Sequence, residues 1–284
     1  MTFREYWQPL TALYDAGEAR SIALLALERR FGLSQTDVLC GAMDSLDEQS
    51  LTLLRSRLLA GEPVQYVLGE AEFCGRIFHV EPGVLIPRKE TEWLCHKAVE
   101  LMDGISDGSL LDIGTGSGCI ACTVALERGR QPEFLNTEVV AWDISDQAMA
   151  MARGNAAKLG AHICVEKTDA LNPPVDTNRW DIIISNPPYV CQSERGAMHQ
   201  NVLCHEPELA LFVPDDDPLL FYRAIARYAV HALKPCGKLL FEINPLFADE
   251  ITKMAECMGF GTVAIENDIY GKKRYAVISC PNGK

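Results

Sequence analysis

The clearest chemistry lies in one run: Asn186, Pro187, Pro188 and Tyr189, directly after the apolar stretch Ile182-Ile183-Ile184 and Ser185. Two consecutive prolines hold the backbone extended and forbid further ladder pairing. The Asn186 side-chain oxygen and the Pro187 carbonyl could then each accept one N–H of a planar NH2 group, a carboxamide or an exocyclic base amine. Such a nitrogen is weakly nucleophilic because its lone pair is delocalised. Fixing both protons favours development of that pair towards an electrophile. Tyr189 could stack on the planar group and also face a cation. No strong base is required if the electrophile is already activated, as a sulfonium methyl is. The simpler alternative is an Asn-Pro turn closing a strand.

A second constellation lies upstream. Leu110-Leu111 runs into Asp112-Ile113-Gly114-Thr115-Gly116-Ser117-Gly118 and then a helix. Glycines there permit a tight turn and close backbone approach to a nucleoside, at the positive end of a helix. The spacing is GxGxG, with Cys119 where a dinucleotide fingerprint has its last glycine, and an acid precedes the turn. That pattern suits a ligand bearing both carboxylate and ammonium, such as S-adenosylmethionine, better than NAD. Asp143 ends the next strand, where a carboxylate can accept both ribose hydroxyls; the alternative is a helix-capping region in which Ser145 serves. Asp169 and Ala170 follow a third strand, where an adenine would lie, and Asp169 reads almost equally well as a turn aspartate.

These groups need a scaffold that brings successive strand ends together. From Gly108 onwards strands and helices alternate, which predicts an α/β domain with a mostly parallel sheet. Strands are expected at Leu110–Ile113, Val139–Trp142, Ile163–Glu166, Ile182–Ser185 and Lys238–Ile243. Helices are expected at Cys119–Arg128, Ser145–Leu159, Pro218–Leu233 and Phe247–Met258. Thr262–Glu266 and Arg274–Ser279 read as an antiparallel hairpin across Gly271-Lys272. Ligands of such sheets bind at the carboxyl ends of the strands. The first residues look wholly helical: a capping box at Thr2-x-x-Glu5, a helix from Ala16 to Phe31 stopped at Gly32, starts at Ser34-x-x-Asp37 and Asp47, and a stop at Gly61. Three segments are expected: a helical bundle over 1–69, a β-hairpin linker turning at Gly75 over 70–83, and the α/β domain over 84–284.

Composition narrows the partners. The 284 residues carry a net charge of −13, which disfavours direct binding of a nucleic-acid backbone. At 48% hydrophobic residues a sizeable core is available, yet no apolar run approaches membrane-spanning length. The eleven cysteines have no framework spacing, and the N-terminus lacks a signal-peptide pattern, so reduced thiols and a cytoplasmic location are expected. Cys119-Ile-Ala-Cys122 is a lone CxxC, read as one face of a helix rather than a metal site. No metal is expected.

Taken together, these motifs resemble the class I S-adenosylmethionine-dependent methyltransferases, and specifically the bacterial peptide chain release factor N5-glutamine methyltransferases. The Gly-rich turn and Asn186-Pro187-Pro188-Tyr189 alone are also similar to adenine-N6 and guanine-N2 methyltransferases. The finer resemblance lies in Pro63-Val64-Gln65-Tyr66, Gly69, Glu72-Phe73, Ile86-Pro87-Arg88-x-Glu90-Thr91-Glu92, Glu206-Pro207-Glu208-Leu209-Ala210-Leu211, Tyr222-Arg223, Glu242-Ile243 and Asp268…Gly271…Arg274. Lys89, Ala170 and Asn244-Pro245-Leu246 depart from that pattern.

The resemblance implies a seven-stranded Rossmann-like sheet and methylation of the glutamine amide in the Gly-Gly-Gln tripeptide of release factors, with S-adenosylhomocysteine as product. It implies that Asn186, Pro187, Pro188 and Tyr189 bind the substrate amide. Asp112, Gly114, Thr115, Gly116, Ser117, Gly118, Asp143, Asp169, Ala170 and Asn186 would hold the cofactor. The helical bundle would grip the release factor, and the enzyme is expected to act as a monomer. Three rivals stand beside it. A nucleic-acid amino methyltransferase should bring a basic surface. A nicotinamide oxidoreductase should have the final glycine. A non-enzymatic module would need neither Asn186 nor Tyr189.

Overall fold

The computed structural model describes residues 1–280, the side chain at 132 apart; residues 281–284, at the end of the third expected segment, lie outside it. The chain forms two compact units. The first comprises Met1–Glu70, Val80–Pro82 and Met198–Glu206; the second comprises Ala71–His79, Gly83–Ala197 and, among the described residues, 207–280.

Local chemistry explains the helices of the first unit. Thr2 and Ser34 each form a capping box with the acid three residues on, and Asp15 and Asp47 cap Ala16–Phe31 and Glu48–Leu59. Gly32 and Gly69 end their helices in the left-handed conformation, at φ 71° and 74°. Tyr6, Leu10, Leu27, Leu51 and Leu58 fill the bundle core. Pro63 to Gly69, which the sequence suggests only as a lead into the hairpin, contains a further short helix, Val64–Leu68.

In the second unit, the seven expected strands form one sheet. They are β1 (Ser109–Ile113), β2 (Glu138–Asp143), β3 (Cys164–Lys167), β4 (Trp180–Ser185), β5 (Leu233–Glu242), β6 (Val263–Asn267) and β7 (Lys273–Ser279), in spatial order β6-β7-β5-β4-β1-β2-β3. The first five strands run parallel, while β7 is antiparallel to both β5 and β6. Alternate residues serve opposite faces: Leu111, Ile113, Val140, Trp142 and Ile183 join one core, whereas Leu110, Val139, Ala141, Ile182 and Ile184 join the other. Helices cover both faces, which is why these strands read as unbroken apolar runs.

Two details depart from the sequence reading. β5 begins at Leu233 rather than Lys238, because Trp180 pairs with Leu233 before a register shift brings Ile182 opposite Lys238. The irregular stretch contains Cys236 at φ 66° and Gly237, where a Cβ would meet the Lys234 carbonyl oxygen at 2.9 Å and the Trp180 carbonyl oxygen at 3.0 Å. A bulge carrying proline and glycine looks like a turn in sequence. The second departure is the segment Met198–Glu206, containing helix Gln200–His205, which clusters with the N-terminal helices despite lying far along the chain. No helix among the described residues is long and apolar enough to cross a membrane.

Candidate active site

A cleft of about 290 Å³ opens at the carboxyl ends of β1 to β4. β1 sits between β2 and β4, so connections leave it in opposite directions and the crevice forms at that reversal. Its lining brings together Gly114, Thr115, Gly116 and Ser117 after β1, Asp143 at the end of β2, Asp169 and Ala170 after β3, and Asn186, Pro187 and Pro188 after β4.

The Gly-rich turn is tied to its neighbour strand. The amides of Gly114 and Thr115 both donate to the Trp142 carbonyl, at 2.9 and 3.0 Å. Gly116 N–H donates to Asp143 Oδ2 at 2.9 Å, and Ser145 N–H to Asp143 Oδ1 at 2.9 Å. Each Asp143 oxygen therefore retains acceptor capacity for a ligand hydroxyl. Burial pushes the Asp143 carboxyl above its usual range, opposed by these amides. Asn155, which sequence reasoning missed, donates to the carbonyls of Ser117 and His79, both at 2.9 Å, and so holds the turn from below.

Three residues expected to touch ligand are instead found outside the cleft lining. Asp112 is fully buried beneath the turn, where its Oδ2 accepts from Thr115 Oγ1 at 2.6 Å and from Ala121 N–H at 3.2 Å. Burial pushes its carboxyl up to about 7. It shapes the turn from within. Gly118 packs on Ala152, which leaves no room for a side chain. Tyr189 packs its ring against the sheet core and donates its hydroxyl to Glu242 Oε1 at 3.0 Å, so the hydroxyl is committed to the protein. Burial, then the charge on Glu242, pushes that phenol up. Asp169 acts as a turn aspartate, accepting from Leu171 N–H at 2.9 Å and Asn172 Nδ2 at 2.7 Å, while remaining on the cleft wall.

Asn186 has the partner that decides its use. Its Nδ2 donates to Thr91 Oγ1 at 3.1 Å, and Thr91 Oγ1 donates to Glu242 Oε2 at 2.7 Å. Glu242 is buried, which pushes its carboxyl up, against the hydrogen bonds from Thr91 and Tyr189 and the Arg274 guanidinium. Beyond the site, Val190 N–H donates to the Leu211 carbonyl at 3.0 Å, pinning the chain after Tyr189 to the segment that ends the following loop. Cys119 and Cys122 lie buried in helix Cys119–Arg128; burial pushes both thiols up, that of Cys122 to about 12.

The lining residues fit a nucleoside-plus-amino-acid cofactor. Ser117 Oγ lies buried at the cleft without a hydrogen-bond partner beyond the weak thiol of Cys119. A Cβ at Gly114 would meet nothing within 4 Å, so the backbone there is open to approach. Ala170, Phe221 and Ile225 give the lining an apolar part suited to a base, and Asp143 lines the same cleft.

The family model described as Methyltransferase small domain matches residues 94–209. A release factor glutamine methyltransferase of Bacteroides thetaiotaomicron is 41% identical over 94% of this chain and 95% of its own. The protein of that name in Flavobacterium psychrophilum is 37% identical, over 95% of each chain. Its namesake in Neisseria gonorrhoeae is 41% identical over 78% of each.

Proposed function

The chain belongs to the release factor glutamine methyltransferase family, and on that footing we propose that its cleft transfers a methyl group from S-adenosylmethionine to the side-chain amide nitrogen of the Gly-Gly-Gln glutamine in peptide chain release factors. The observation that carries this reading is the Asn186 amide, whose NH2 end is tied to Thr91 at 3.1 Å, so that its oxygen is left for the cleft. Bound S-adenosylmethionine would supply a methyl group already activated by its sulfonium.

Asn186 Oδ1 and the Pro187 carbonyl hold the two N–H protons of the glutamine amide, turning its lone pair towards that methyl. In that transfer the cofactor's sulfur would keep the electron pair of the S–C bond, while the glutamine nitrogen would contribute the pair of the new N–C bond and lose one proton to water. Asp143 would hold the ribose hydroxyls, and the turn from Gly114 to Ser117 would hold the amino-acid end. The helices of residues 1–69 serve release-factor recognition, which suits an acidic protein better than nucleic acid does.

The binding role of Asp143 is separately testable. Asp143→Ala should weaken S-adenosylmethionine binding by ~1.5–3 kcal/mol, the range for hydrogen bonds to a charged group. Calorimetry showing wild-type affinity would remove Asp143 from the cofactor site.

The function itself is tested by offering labelled S-adenosylmethionine with four acceptors: whole release factor, the same factor with its Gly-Gly-Gln glutamine replaced by alanine, DNA and RNA. Label should enter the intact factor alone. Label on nucleic acid, or undiminished label on the glutamine-less factor, would overturn the assignment.

A further inference from the structure

Glu242 ends β5, the parallel neighbour of β4, and the register places Phe241 opposite Ser185. The carboxylate therefore comes up directly beside the strand end that carries Asn186. Its two oxygens are used differently: Oε2 accepts from Thr91 Oγ1 at 2.7 Å, and Oε1 accepts from the Tyr189 hydroxyl at 3.0 Å. Thr91 in turn stands just before helix Glu92–Leu101, its own amide donating to the Arg88 carbonyl at 3.1 Å. One buried carboxylate thus reaches both ends of the Asn186-Pro187-Pro188-Tyr189 run.

The donor and acceptor inventory makes this arrangement directional. A carboxylate only accepts, and a threonine hydroxyl has a single proton. Thr91 spends that proton on Glu242, so towards Asn186 it presents only lone pairs. The NH2 end of the Asn186 amide satisfies them at 3.1 Å. The opposite rotamer would set an amide oxygen against a hydroxyl oxygen with no proton between them. Both Thr91 and Glu242 are buried, at 3% and 2% exposure, so water does not readily substitute for either partner.

We propose that Glu242, acting through Thr91, dictates which end of the Asn186 amide faces the cleft, and that both are positioning residues for methyl transfer. The relay presents an oxygen, an acceptor, to the substrate NH2; the reverse orientation would present a second NH2 and repel it. The same carboxylate anchors Tyr189 and so holds the far end of the run. This inference rests on the reading of Asn186 as the substrate-amide acceptor.

The experiment is a double-mutant cycle in the full-length protein, measured as single-turnover methylation of whole release factor at saturating S-adenosylmethionine. Thr91→Val keeps the shape and removes the hydroxyl. It should slow transfer ~10- to 100-fold, with cofactor affinity and the Michaelis constant for release factor within about threefold of wild type. Thr91→Ser should recover most of the lost rate.

The decisive arm repeats Thr91→Val in an Asn186→Ala background, where no amide remains to be oriented: the further slowing should be less than about threefold. Glu242→Gln, which can turn the Thr91 hydroxyl round, should be slow in the wild-type background and nearly silent beside Asn186→Ala. It decides the matter if Thr91→Val does not fold. Equal slowing in both backgrounds, or transfer by Thr91→Val at wild-type rate, overturns the relay alone. Wild-type transfer by Asn186→Ala overturns the reading beneath it as well.

Discussion

Asn186→Ala should slow single-turnover methyl transfer ~10²–10³-fold, the usual consequence of removing one preorganised contact to the reacting group. The substitution deletes the acceptor at the end of β4 and leaves the Pro187 carbonyl alone to hold the substrate amide. It also leaves the Thr91 lone pairs unmatched, since Asn186 Nδ2 is their partner at 3.1 Å. Cofactor affinity should change little, because the Gly-rich turn and Asp143 belong to β1 and β2. Asn186→Asp is the sharper probe: it retains acceptors but lacks the NH2 that Thr91 requires, and it sets a second carboxylate near Glu242. Its rate should fall between wild type and alanine, nearer alanine. Should both variants transfer methyl groups at wild-type rate, Asn186 is a turn residue and the mechanism fails.

The second large effect is on stability. Gly118→Ala should destabilise the protein by ~2–4 kcal/mol, combining the strain of a left-handed alanine with overpacking. Gly118 has φ +80°, and a Cβ there would stand 3.0 Å from Ala152 Cβ and 3.1 Å from Ala152 Cα. The second contact is backbone and cannot swing away. Gly114→Ala is the control: its φ is +76°, yet a Cβ would meet nothing within 4 Å, so only the conformational cost of ~1–2 kcal/mol remains. Urea unfolding compares the two. Equal midpoints would mean that close packing against Ala152 is not what requires glycine at 118.

Much of the frame could be read locally. Isoleucines 182–184 mark a buried strand because helices cover both faces of the sheet, and Gly114, Gly116 and Gly118 mark a turn because each takes positive φ. Helix Cys119–Arg128 falls on its expected bounds, and the hairpin turns at Cys74 and Gly75, both left-handed. Each of these signals lies within a window of a few residues, where hydrophobic period and backbone punctuation operate. The alternation of strands and helices then puts Gly114, Asp143, Asp169 and Asn186 at strand ends that share one cleft.

What the tertiary structure alone decided is which of those groups face the cleft and what holds them. Asp112 and Tyr189 read as ligand contacts, but one is fully buried under the turn and the other gives its hydroxyl to Glu242. Asp169 is the turn aspartate that its position allowed, and it also lines the cleft. Thr91 and Glu242 lie in stretches that carry the family resemblance, but nothing local assigns them their work, and Asn155 carries no sign at all. Thr91 and Glu242 are 151 residues apart, and His79 and Asn155 are 76 apart. Such pairs are set by strand order and register, through the β4–β5 pairing that brings Glu242 up beside Asn186. A side-chain hydrogen bond extends only about 3 Å, so it forms only once distant segments have been brought into register. Composition and periodicity in a short window contain no record of that register.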